Sequence, residues 1–309
     1  ISDDVLRNLV IARICQPGSK MATSAYLKAY FKEDLNHWRI YRYMDKLYNT
    51  QQETVQKISV THTMKVLGGQ VGLMFYDVTS LYFETPARDD LRQPGFSKDG
   101  KTSESQIILG LLVSAGGYPL SYAVFNGSQY EGRTMIPIID DFKQRFNLAD
   151  FVVVADSGLM SKTNVKLLND AGYSYIIGAR IRNESVAVRE WILSIDKVDG
   201  QLYERAYNKR ERLIVGYSAK RAAKEAHNRE QGVEGLRKRY ATGSLTKDKL
   251  NKHGYNKFLE ISKDVQVVIN QDKVEQDARW DGLKGYRTNT DLPVDTILEQ
   301  YHGLWVVER

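Results

Sequence analysis

The sequence predicts an α/β chain in which a mixed sheet carries flanking helices, follows a helical module and is interrupted by a basic insertion. Three observations predict it. Apolar residues recur at helical spacing through residues 1–66. From residue 71 the period shifts to strand-like runs that alternate with helical segments. The stretch from Arg205 to Lys257 then breaks that alternation with positive charge. At 309 residues and 42% hydrophobic content, the chain can bury a large core and still carry an insertion.

Taken in order, DVLRNLVIARICQ reads as a helix that Pro17-Gly18 ends, and SKMATSAYLKAYF as a second that opens on a capping serine, Ser19. HWRIYRYMDKLYNTQQETVQKI is amphipathic, with arginines and tyrosines interleaved. Together they suit a small module of the kind that docks on DNA, although any three-helix packing unit reads the same way. Cys15, the single cysteine, leaves no pair for a disulfide and fits a reducing cytoplasm. Its apolar surroundings, LVIARIC, predict a core thiol.

VGLMFYDVTSLYFE is a strand, followed by the polar loop TPARDDLRQPGFSKDGKTSES. QIILGLLVS and SYAVFNG, joined by AGGYPL, form a hairpin. TMIPIIDDFKQRF is a helix, FVVVADSG a strand, SKTNVKLLNDAG a helix closed by Gly172, and YSYIIGARI a further strand. QLYERAYNKRERLIVGYS then reads as a strand pair and AKRAAKEAHNREQGVEGLRKRYATG as a charged helix. GYNKFLEIS and VQVVIN return to strand character, WDGLKGYRTNT is the last main-sheet strand, and Pro293 opens the helix VDTILEQYHGLWVVER. The expected organisation is a helical module over 1–68, the core's first part over 69–182, an insertion over 183–276 and the core's close over 277–309. Ending on Glu308-Arg309 inside a helical pattern, the sequence reads as a trimmed chain. No stretch reaches the roughly 18 apolar residues of a membrane span, and no signal-peptide pattern is present.

The net charge of +6 is unevenly distributed. Arg205 to Lys257 holds fifteen Lys or Arg against five Asp or Glu, so the rest of the chain is net negative at −4. Such a block is either a solvated helix face or the grip on a polyanion.

Two aspartates stand where buried strands want valine. An ionised carboxylate in a low-dielectric sheet is costly unless it is paired or binds a metal. Asp77 lies inside its strand with no Lys or Arg within ten positions on either side. Asp156 ends an apolar run, where open α/β sheets place ligand-facing groups; alone it could equally cap the Ser157-Gly158 turn. Leu298, Tyr301, Trp305 and Glu308 recur at three- and four-residue steps and share a helix face, so Glu308 is either held at the sheet or stands at the stripe's edge with its carboxylate in water. Three hard-oxygen groups suit Mg²⁺ or Mn²⁺ and not zinc.

This set of Asp77, Asp156 and Glu308 resembles the DDE triad of transposases and retroviral integrases, a superfamily with a ribonuclease-H-like fold. More narrowly the chain is similar to bacterial insertion-sequence transposases that carry a β-rich insertion before the glutamate. Their last helix reads Y-x-x-R-x-x-x-E-x-x-x-x-x-x-K. Tyr301 and Glu308 match it, Leu304 stands where the arginine is expected, and the chain ends before the lysine. GFSKDGK (95–101) and NGSQYEGRT (126–134) also look like what surrounds the triad in these enzymes.

The resemblance implies an enzyme of the bacterial, nucleoid-associated cytoplasm that cuts DNA at the ends of a mobile element. It would join the 3′-hydroxyls to target DNA by two-metal-ion catalysis with Mg²⁺ or Mn²⁺. Asp77 would bridge two ions, with Asp156 and Glu308 each holding one. Partners would be double-stranded DNA, at terminal repeats and target, and a second copy of the chain on DNA, with no membrane. Lys209, Arg210, Arg212, Lys220, Arg221, Arg237, Lys238 and Arg239 would grip the DNA backbone, with Tyr301 also at the DNA. Lys98 is either a phosphate contact or an exposed loop lysine, and Trp191 and Trp280 are expected in the core rather than stacked on a base. A structure-selective nuclease on the same fold and a non-catalytic DNA-binding protein are the alternatives.

Overall fold

The computed structural model describes residues 3–69, 71–85, 87–97, 100–148, 150–159, 161–243, 254–261 and 267–307. The chain forms two compact units, Ile1–Gln70 with Tyr118–Ser121, and Val71–Gly117 with Tyr122–Arg309.

The smaller unit holds α1 (Asp4–Cys15), α2 (Lys20–Phe31), α3 (His37–Thr50) and α4 (Gln52–Val66). Side chains cap the first three. Asp3 accepts from the Leu6 N–H at 3.0 Å, Ser19 from Ala22 at 3.2 Å and Asn36 from Trp38 at 2.9 Å. Ala12, Leu27, Leu35 and Ile40 form its buried centre. The segment that reads as one helix from His37 divides at Gln51, where the backbone leaves helical geometry at φ −121°. Cys15 is exposed and not a core thiol. The buried residues of α1 are Asn8 and Ala12, and Cys15 is its last residue, beyond that stripe.

Among the described residues there are ten strands, all in the larger unit except for residues 119–121 at the start of the third. They are β1 (Leu73–Phe83), β2 (Ser105–Ser114), β3 (Pro119–Asn126), β4 (Val152–Ala155), β5 (Ser174–Ala179), β6 (Leu202–Ala206), β7 (Arg212–Tyr217), β8 (Leu259–Ile261), β9 (Val267–Ile269) and β10 (Leu283–Thr288). Its helices are α5 (Met135–Phe146), α6 (Lys162–Asp170), α7 (Val186–Ser194), α8 (Ala219–Ala241), α9 (Gln271–Ala278) and α10 (Val294–His302). Eight strands make one sheet in the order β3-β2-β1-β4-β5-β10-β7-β6. β1 is antiparallel to β2 and parallel to β4, and β4 is parallel to β5. This run of five strands with β2 reversed is the ribonuclease-H-like arrangement. β4 is a short valine run because apolar surface covers both its faces: Val153, Val154 and Ala155 are fully buried.

One core cluster joins Phe75, Val154, Ile176 and Tyr286 to Ile297, Tyr301 and Leu304 of α10 and the turn after it. The helix tightens to a 3₁₀ turn at Gly303–Val306, where a Cβ on Gly303 would fall 2.5 Å from the Phe75 ring. The buried stripe is therefore Ile297, Tyr301 and Leu304, and Trp305 is 51% exposed instead of facing the sheet.

The hairpin of β6 and β7 does not stand apart. β7 pairs antiparallel with β10, so the hairpin widens the main sheet. Glu211, at its turn, is 2% exposed and accepts hydrogen bonds from Arg287, from the Tyr175 hydroxyl and from Asn169. Burial pushes this carboxyl up, but Arg287 and the Tyr175 hydroxyl outweigh it and hold the group below the usual carboxylate range. Further on, Val233 and Leu236 of α8 pack with Phe258, Leu259 and Val267 as a small second core. Arg229 ties α8 to Asp281 through two bonds of 2.6 Å.

Candidate active site

The register of β1 and β4 brings the two aspartates together. Tyr76 pairs with Ala155, and the next residue on each chain segment is Asp77 and Asp156. Neighbouring strands run about 4.8 Å apart, so the two residues are side by side at the carboxyl end of β4. Pleating puts Asp77 on the face of Phe75, which is the α10 face. Asp156 meets the same face, because the Tyr301 hydroxyl donates to its Oδ1 at 3.1 Å.

Asp156 reaches solvent while neighbours crowd its base. That crowding alone would raise its pKa. The N–H groups of Ser157 and Gly158 and the Tyr301 hydroxyl more than offset it, holding the carboxyl below its ordinary value. The Gly158 N–H lies 3.3 Å from Oδ2. Asp156 therefore does cap its turn, and an ionised carboxylate still has lone pairs for a cation. Gly178 makes this possible: a Cβ there would lie 2.5 Å from the Tyr301 hydroxyl and 2.9 Å from the Ser157 nitrogen.

Tyr301 is only 4% exposed. Its ring packs edge-on against Tyr286 at 4.7 Å and beneath the Lys284 ammonium at 4.6 Å, so its position orients Asp156. Two openings flank this arrangement. A cleft of about 340 Å³ is lined by Ser157, Arg180, Arg182, Arg221, Trp280 and Lys284. A second, of about 470 Å³, is lined by Asp156, Lys284, Tyr301 and His302. Burial, and then Lys284, push the His302 pKa down.

The other expected site residues are dispersed. Lys209 and Arg210 are exposed on the β6–β7 turn, and Lys220 and Arg221 open α8, with Arg221 2.8 Å from Glu225. Arg237, Lys238 and Arg239 are exposed in the last turns of α8. At 1.5 Å per residue, Arg221 and Arg237 are about 24 Å apart. Arg212 differs: its guanidinium donates to Thr290 O and Leu292 O, each at 2.7 Å, and meets Glu204 at 3.0 Å, so it straps the fold. Trp191 and Trp280 are partly buried against the cluster of Ile181, Ile192 and Leu213, and Trp280 also reaches the cleft. Lys98 and Glu308 lie outside the described residues.

Arg180, Arg182 and Lys284 line the cleft without standing out in the sequence. Their signal was faint: bases in GARIRN just past a buried strand, and a lysine inside the strand LKGYR. Among the described residues no group of three or more His, Cys, Asp or Glu is placed to hold a metal ion. Asp77 and Asp156 supply two neighbouring hard-oxygen donors, one held ionised and open to solvent, a donor set that fits Mg²⁺ or Mn²⁺.

The family model described as transposase DDE domain matches residues 72–309. Among solved structures, the chain is similar to a piggyBac transposase synaptic complex with hairpin DNA at 9% identity and a TM-score of 0.49. That likeness covers 98% of this chain and 56% of that one. It is similar to the Mos1 transposase paired-end complex with left transposon end at 9% identity and a TM-score of 0.24, covering 56% and 58%. The Mos1 mariner paired end complex with Mn gives 9% identity and a TM-score of 0.23, covering 57% and 59%. The chain thus spans less than two thirds of these proteins. No curated protein matches it.

Proposed function

The chain belongs to the family of transposases with a DDE domain, and on that footing we propose that it cuts phosphodiester bonds at the ends of a mobile DNA element and joins the freed 3′-hydroxyls to target DNA. The observation that carries this reading is the adjacency of Asp77 on β1 and Asp156 just past the end of the parallel β4, with Asp156 accepting hydrogen bonds from Tyr301 and Gly158. Asp77, Asp156 and Glu308 would hold Mg²⁺ or Mn²⁺, two ions that supply Lewis-acid charge at the phosphodiester when bound.

The chain's own groups do the remaining work by position and charge. Gly178 leaves space for the Tyr301 hydroxyl, which aims Asp156. Lys284 lines the cleft beside it together with Arg182 and Arg221, which pair with Asp277 and Glu225, and these cations would meet phosphate charge there. Lys209, Arg210, Lys220, Arg237, Lys238 and Arg239 extend that positive surface outward for duplex DNA, and Lys98 belongs to the same proposed set. Because two element ends must be brought together, two copies of the chain would act on one DNA complex.

Asp77→Asn tests the reading. Cleavage of a terminal-repeat substrate should fall more than about a hundredfold, the upper end of what loss of an outer-shell metal partner gives, while DNA retention in a gel shift is unchanged. Cleavage at the wild-type rate would remove Asp77 from the site. Pre-cleaved ends, given to the wild type with a target plasmid, should be joined; cutting without joining would favour a nuclease instead.

A further inference from the structure

We infer that Arg180 is a positioning residue for the Asp156 carboxylate, acting through the peptide that links Ser157 to Gly158. The inference deepens the proposed function and rests on Asp156 being a cation ligand. Arg180 follows the last residue of β5, and β5 lies parallel and next to β4, so its side chain comes alongside the turn that follows Asp156. There its Nε–H donates to the Ser157 carbonyl at 2.9 Å and an Nη2–H to the Gly158 carbonyl, also at 2.9 Å. Two consecutive carbonyls are held by one planar fork.

The connection to Asp156 is covalent. The Ser157 carbonyl and the Gly158 N–H belong to the same peptide unit, and that N–H points at Asp156 Oδ2 from 3.3 Å. A donor on one end of a peptide polarises it and strengthens the donor at its other end, and a fixed peptide plane fixes the direction of that donor. Tyr301 holds the second carboxylate oxygen. The end of β5 therefore contributes twice, clearing space at Gly178 and clamping at Arg180.

Lysine at position 180 would keep the charge but not the fork that spans both carbonyls. Arg180 is also exposed at the cleft, so a direct phosphate contact is the competing role. The test uses the full chain with Arg180→Lys and Arg180→Met. It reads Mn²⁺ affinity without DNA by electron paramagnetic resonance, DNA retention in EDTA, cleavage against Mn²⁺ concentration, and thermal unfolding. Both variants should bind Mn²⁺ about tenfold more weakly or worse, retain DNA within about twofold, and cleave better as Mn²⁺ is raised. Unchanged Mn²⁺ affinity in both variants overturns the inference. So does an Arg180→Lys protein that matches wild type while Arg180→Met loses DNA, the mark of a phosphate contact. Should Arg180→Met unfold early, Arg180→Lys decides alone. A wild type that binds no Mn²⁺ removes the premise, an outcome distinct from wild-type binding that the variants leave intact.

Discussion

Tyr301 shows how one side chain serves both packing and chemistry. Its ring belongs to the α10 core and its hydroxyl to Asp156. Tyr301→Phe keeps the ring and removes one donor, so the chain should fold normally while cleavage falls about tenfold, checked by single-turnover kinetics beside a melting curve. An unchanged rate would mean that Gly158 alone suffices to aim the carboxylate. At this scale the sequence was legible where a residue broke its own local pattern. Asp77 inside an apolar strand and Asp156 at the end of another both stand out. Arg180 and Lys284 break no such pattern, because an arginine after a strand is ordinary; their meaning comes from β5 lying next to β4, which leads into Asp156, and from β10 lying next to β5.

Elements were legible from period and caps, as Ser19 shows by accepting from Ala22 at the start of α2 and Gly172 by its φ of 72° after α6. Hairpin partners were legible too, β2 with β3 and β6 with β7, but partners distant along the chain were not. Nothing local in QLYERAYNKRERLIVGYS says that its second strand pairs with β10 rather than forming a separate sheet. The attachment is secured by Glu211, whose carboxylate joins the hairpin turn to Arg287 on β10 and Tyr175 on β5. Glu211→Gln leaves the Arg287 charge buried without its counter-charge and should destabilise the larger unit by about 3–5 kcal/mol, read by urea unfolding. The pH dependence has a definite sign. The folded pKa of Glu211 is depressed from its ordinary 4.5, so its stabilisation is present above that value and is lost as pH falls through the lower folded one. Wild type should therefore lose stability on acidification over a range where Glu211→Gln loses less. The stripe of α10 differs from its sequence pattern for a related reason: tightening into a 3₁₀ turn rotates Leu304 inward and Trp305 outward, where Gly303 fits on Phe75.

Across the whole molecule, charge and fold divide the work. Arg205 to Lys257 carries a net +10 against −4 elsewhere, yet Arg212, Arg229 and Lys257 are tied down by Glu204, Asp281 and Asp277. The exposed bases remaining on α8 should give DNA retention a steep salt dependence. Replacing Arg237, Lys238 and Arg239 together by glutamine should flatten the log–log salt slope by about 2.7, at roughly 0.9 for each phosphate no longer neutralised. An unchanged slope would place the DNA elsewhere. All of this serves one arrangement, Asp77 on β1 beside Asp156 at the end of the parallel β4, both facing α10. A crystal of the chain grown with Mn²⁺ and measured at the manganese edge tests it most directly. The account predicts an anomalous peak about 2.1 Å from carboxylate oxygens of both Asp77 and Asp156. A peak bound to neither aspartate, at Mn²⁺ concentrations that support cleavage, would contradict it.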